Sequence, residues 1–139
     1  MRGVTFGDKH TYTTWGLMLK TTPLVSPPEP KTRYVDIPGK HGEMDLSTAL
    51  TGSVKYKNRK IEMEFITMAD REEWSAIYSA ILSDLHGQTK RITLDDDPDC
   101  YYTGMVTVGT PERDRKVVTL KMTAEVEPFK KTSEGAVML

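Results

Sequence analysis

The sequence predicts a mainly β (α+β) domain in which one α-helix, about residues 71–86, packs on antiparallel sheet. Three observations predict it. Two stretches alternate with the period of a strand: Ile61, Met63 and Phe65 against Glu62 and Glu64, and Val118, Leu120, Met122, Ala124 and Val126 against the polar residues between them. One stretch carries a helical stripe, Trp74, Ile77, Tyr78, Ile81, Leu82 and Leu85. The sequence shows no second helix to receive that stripe, so a sheet must cover it.

The elements follow in order. Val4–Phe6 and Trp15–Leu19 read as short strands around the polar turn Gly7-Asp8-Lys9-His10. Pro23, Pro27, Pro28 and Pro30 fix φ and remove ladder donors, so this stretch is an extended connector or an edge. Thr32–Ile37 reads as a strand closed by Pro38-Gly39. The segment 40–53 has no period and reads as a long loop or arm. Strand signal resumes at Val54–Met68, with a bend or bulge at Asn58 or Arg59. Asp70 is placed as the helix N-cap with Glu73 completing a capping box, and Gly87 suits the left-handed position after the helix. Arg91–Leu94 and Tyr101–Val108 flank a compact acidic turn, the signature of a hairpin. Residues 110–115 turn the chain into the strand at 118–126, and residues 130–139 form a tail that frays or docks elsewhere.

At 139 residues the chain has the length of one ordinary domain, read as 1–129 plus that tail. Nineteen basic and twenty acidic residues leave a net charge of −1, without the basic excess of a nucleic-acid binder. A single cysteine forms no internal disulfide, which fits a reducing cytoplasm as the place of synthesis. No apolar run approaches a membrane span, and the first residues lack the apolar region of a secretory signal.

The stretch LDDDPDCYY (94–102) is the obvious candidate for chemistry. Asp95, Asp97 and Asp99 fall at the first, third and fifth positions of a calcium loop. The sixth is Cys100 where glycine is needed, and the twelfth is Val106 where a bidentate glutamate is needed. A solvated hairpin tip also gives every carboxylate a similar environment, unlike a catalytic pair. The residues therefore read as a turn in which Pro98 fixes one φ. His41, Glu43 and Asp45 alternate in a glycine-flanked stretch without a second histidine. His10 has no partner in sequence, and His86 stands where its charge would complement the helix dipole. Cys100 reads as a buried small hydrophobe. Lys55, Lys57, Arg59 and Lys60 beside Tyr56 could grip nucleic acid, but their alternation favours the outer face of a strand. Phosphate-binding, nucleophile-elbow and zinc-protease motifs are absent. Catalytic, metal and cofactor residues are thus expected to be none.

Taken in order, GVTFGDKH, YVDIPGKHGEMDLSTALTG, VKYKNRKIEMEF, a helix with an early Trp ending in LHG, and LDDDPDCYYTGMVTV resemble the N-terminal domain of distal tail proteins. These belong to long-tailed phages with non-contractile tails and to prophages of Gram-positive bacteria. The resemblance covers roughly residues 3–129. Its most specific parts are two turns. One holds Asp36, Ile37, Pro38, Gly39 and Gly42; the other holds Asp95, Asp97, Pro98, Tyr102 and Gly104. Pro128-Phe129 departs from the Pro-Tyr usual at the family's end.

The resemblance implies a β-sandwich with one helix and a homo-hexameric ring joining the tail tube to the baseplate or tip. DNA would cross its lumen without specific binding, and the protein would be carried in the virion tail after assembly in the host cytoplasm. Full-length relatives often add a carbohydrate-binding-like domain. The chain stops near residue 139, so that domain and direct receptor binding are not expected. Contacts between subunits are expected at His41, Glu43, Asp45, Leu46, Leu50, Lys55 and Lys57, with 40–53 as an arm. Two other readings stand beside this one. A monomeric sandwich that binds carbohydrate or protein would need an exposed aromatic platform from Trp15, Tyr101 or Tyr102. A metal or enzyme site would need Asp95, Asp97 and Asp99.

Overall fold

A computed structural model describes residues 2–32, 34–36, 38–39, 41–45 and 55–139. The chain opens with β1 (Val4–Phe6) and β2 (Lys9–His10), then a single helical turn, α1 (Thr11–Trp15). Three short strands follow, β3 (Met18–Leu19), β4 (Leu24–Val25) and β5 (Pro30–Lys31). Next come β6 (Tyr34–Asp36), β7 (Glu43–Asp45), β8 (Lys55–Tyr56) and the long β9 (Arg59–Met68). After α2 (Arg71–Leu85) come β10 (Thr89–Leu94), β11 (Cys100–Val108), β12 (Glu112–Asp114) and β13 (Val117–Val126). The chain closes on β14 (Lys130–Thr132) and β15 (Val137–Met138).

The protein is mainly β and antiparallel, as the sequence predicts. Its main sheet runs β2-β1-β10-β11-β13-β9-β3, with β4, β12, β14 and β15 attached. Where the resemblance implies a sandwich, the hydrogen bonds trace one continuous open sheet with the helix on its apolar face.

The central ladder is β13 on β9, paired over ten residues from Val117↔Met68 to Val126↔Arg59. The alternation sets which face is buried. Ile61, Met63 and Phe65 lie opposite Ala124, Met122 and Leu120, and all six are buried. Lys121, Glu125 and Glu62 between them are exposed. Burying a side chain of this size contributes about 2 kcal/mol. Val4, Phe6, Ile92, Leu94, Val106 and Val108 bring the other strands into the same core, and Trp74, Ile81 and Leu85 bring the helix. Ile77, Tyr78 and Leu82 are half-buried, so the helical stripe is narrower at its centre than the sequence predicts.

Asp70 is the N-cap by backbone conformation, but its side chain makes no capping bond and its carboxylate lies 3.8 Å from Lys116 Nζ. The capping box is therefore not formed. Gly87 takes φ +75° just after the cap residue His86, as its position suggests.

Several short elements differ from expectation. Thr11–Trp15 is helical where a strand from Trp15 is expected; Gly16, at φ +72°, ends the turn and bonds back to Tyr12 O. Residues 112–114 form a strand on β13, and the turn falls at Arg115, φ +58°. Residues 43–45 form a strand inside the expected loop, while 46–53 and Lys40 lie outside the described residues. The tail folds back: Tyr101 and Cys100 pair with Lys131 and Thr132, and β15 pairs with β14.

Candidate functional site

The acidic turn joins β10 to β11, two strands paired from Thr89↔Met105 to Ile92↔Tyr102. Three of its four carboxylates are held by residues far away in sequence. Asp95 Oδ2 accepts the Gly3 amide at 2.8 Å and lies 2.9 Å from His10 Nε2. Asp96 pairs with the Arg2 guanidinium. Asp97 accepts from Lys130 Nζ at 2.6 Å. The turn therefore ties the N-terminal strand and the C-terminal hairpin to the middle of the sheet.

The His10–Asp95 pair resembles part of an acid–base relay, but both ring nitrogens are engaged. His10 Nδ1 accepts the Tyr12 amide at 3.2 Å and so caps α1, which leaves Nε2 to donate to Asp95. Among the described residues no hydroxyl or thiol is hydrogen-bonded to that ring. His86 likewise acts as an acceptor, its Nδ1 receiving the Val108 amide at 3.1 Å. This binds the end of α2 to β11, beside Gly87 N donating to Val106 O.

Cys100 is buried, and burial pushes its thiol up, with the Asp97 carboxylate adding to the shift. A thiol held protonated is a weak nucleophile. Lys130 is raised above the ordinary lysine value, chiefly by its bond to Asp97, against the opposing effect of burial. A group whose folded value is raised stabilises the fold fully below its unfolded value, about 10.4, and loses that contribution as pH climbs through the folded value. Asp97 is about a third exposed, so solvent limits the pair to about 1 kcal/mol or less. Lys130→Met should therefore be less stable than the parent in urea titrations at about pH 8, with the gap closing at strongly alkaline pH. A gap that widened with pH would show another origin.

Among the described residues no three His, Cys, Asp or Glu side chains gather to hold a metal ion. An open cleft beside the turn is lined by Arg91, Thr93, Asp99, Tyr101 and Ser133. The Arg91 guanidinium covers the Tyr101 ring at 4.9 Å. Trp15 and Tyr102 are buried, so of the three aromatics considered for a binding platform only Tyr101 is part-exposed.

Those of the residues expected to make contacts between subunits that are described lie away from the acidic turn. Leu24 pairs with Glu62, Val25 with Ile61, Pro30 with Tyr56 and Lys31 with Lys55, all in one register. The amides of Ser26 and Lys57 donate to Lys60 O and Glu29 O between them. The edge of the main sheet thus runs on as a two-stranded ribbon, on which the Lys57 ammonium lies 3.5 Å from Glu29. A second two-stranded ribbon pairs Tyr34 with Asp45 and Asp36 with Glu43. Asp36, Glu43 and Asp45 stand on β6 and β7. Pro38, Gly39, His41 and Gly42 form their exposed tip, where both glycines take positive φ, +82° and +76°. Leu46 and Leu50 lie outside the described residues. The two marker turns are therefore different objects: one is the tip of a ribbon, the other a clasp on the sheet. The clasp's long-range partners carry no sequence signal.

No family model matches this sequence, and no curated protein does. Among solved structures it is similar to SPP1 Dit, described as a paradigm of the hub adsorption apparatus in phages that infect Gram-positive bacteria. The two superpose with a TM-score of 0.71 at 16% identity, over 95% of this chain and 52% of the other. The likeness is one of fold, and the chain spans about half the length of that protein.

Proposed function

We propose that this chain is a structural component of a phage or prophage tail, a subunit of a ring that joins the tail tube to the baseplate or tip. The fold likeness to SPP1 Dit over 95% of the chain carries this reading. The ribbon supports it, because an exposed hairpin on a sheet edge suits a neighbouring subunit better than a small ligand. Partners are then further copies of the chain, a hexamer in the distal-tail arrangement, with tube and tip proteins above and below. A net charge of −1 suits a lumen that DNA crosses without sticking.

Light scattering coupled to size exclusion, followed by particle imaging, tests the proposal. The expected result is a concentration-dependent ring of the whole chain that is lost when residues 41–51 are deleted, while the deleted protein remains a folded monomer. A ring unaffected by the deletion would remove the ribbon from the assembly. A strict monomer at high concentration, alone and with tube protein added, would overturn the ring.

A further inference from the structure

Three segments meet at one arginine. Arg59 begins β9 opposite Val126, where the ribbon leaves the sheet. Its Nε donates to Ser26 O at 3.0 Å, on the outgoing side of the ribbon. Its Nη1 donates to Pro128 O at 3.3 Å, between β13 and β14. Its guanidinium stands 5.5 Å from the centre of the Tyr102 ring on β11. Beside it the Tyr56 and Phe129 rings meet edge to face at 5.9 Å.

Pro128 and Phe129 occupy an irregular stretch of backbone. Val126 faces Gly104, and Glu127 N donates to Thr103 O, so the same register would set Phe129 opposite Tyr101. Tyr101 instead faces Lys131. Two extra residues, Pro128 and Phe129, are therefore extruded between β13 and β14. That bulge offers the Pro128 carbonyl to Arg59 and the Phe129 ring to Tyr56. Beyond it, Lys130 closes on Asp97 of the acidic turn. Ribbon, bulge, hairpin and turn are thus in continuous contact.

We propose that Arg59 is a positioning residue that sets the posture of the ribbon and couples it to the C-terminal hairpin. The planar guanidinium reaches two carbonyls on different segments and a ring on a third, a geometry that a lysine ammonium does not reproduce. The coupling does not depend on what the ribbon touches; only its consequence for assembly rests on the ring reading.

Amide hydrogen exchange on the full chain tests this. In Arg59→Ala, exchange at Lys57 of the ribbon, whose amide donates to Glu29 O, and at Lys131 and Thr132 of the hairpin should accelerate together, by about tenfold, as loss of a charge-assisted hydrogen bond implies. The core ladder at Leu120 and Met122 should keep its protection. Arg59→Lys should recover little. Phe129→Ala, which leaves the sheet core untouched, should produce the same paired acceleration, and the double variant should add less than the two singles. Acceleration on the ribbon alone, or no change on either side, would overturn the coupling. Should the ring persist in Arg59→Ala while both segments exchange faster, the coupling stands and the ribbon's part in assembly fails.

Discussion

Gly104→Ala should lower the melting temperature by about 10 °C or leave the protein insoluble. A Cβ built on Gly104 would sit 2.1 Å from Glu125 O and 2.5 Å from Val126 Cα. Both are backbone atoms of the facing strand, so no rotamer change relieves the clash. β11 and β13 would have to part at Gly104↔Val126, one step from the Glu127–Thr103 bond and the bulge. Overpacking of this kind costs about 3 kcal/mol. In a domain of this size that corresponds to about 4 °C per kcal/mol. Thermal unfolding followed by circular dichroism measures the shift, and a fall under about 2 °C would show that the strands are not held so close. The position is demanding for its space alone, since Gly104 has no positive φ.

The same residue shows what one sequence discloses and what it withholds. Gly104 was recognisable as a fixed point in the pattern ending the acidic stretch, but its reason lies on a strand some twenty residues further on. The long strands were legible because burial on one face writes a period of two into the residues themselves, as at 61–65 and 118–126. The helix was legible for the same reason with a period of 3.6. The five residues of α1 are too few to show any period, and the sequence places a strand over their end. β12 and β14, with sequences ERD and KKT, carry no apolar alternation because backbone pairing and polar contacts, Arg113 on Ala69 O and Lys130 on Asp97, hold them. The acidic turn was legible as a turn. Its work as a clasp was not, because Gly3, Arg2 and Lys130 are between 33 and 94 residues away from the carboxylates they meet.

Trp74→Ala should be the most damaging change on the helix. Trp74 is 8% exposed, its ring stacks on Tyr78 at 5.7 Å, and it anchors the first turn of α2 on the sheet. Truncating a buried aromatic costs about 3–5 kcal/mol, a large fraction of the 5–15 kcal/mol that holds a typical domain. The helix has little to fall back on at that end, because Asp70 makes no side-chain capping bond. Its other end is held by His86 and Gly87 on β11, and its middle by Tyr78 Oη donating to Gly109 O at 3.1 Å. The expected result is a loss of 10 °C or more in melting temperature, with exchange fastest over residues 71–76 and protection retained near 85–87. Tyr78→Phe removes the Gly109 bond and keeps the stacked ring, so it should cost about 1 kcal/mol. If the two variants were equally destabilised, the first turn would not be the anchor, and the helix would be held by its C-terminal bonds and the fully buried Ile81 and Leu85 instead.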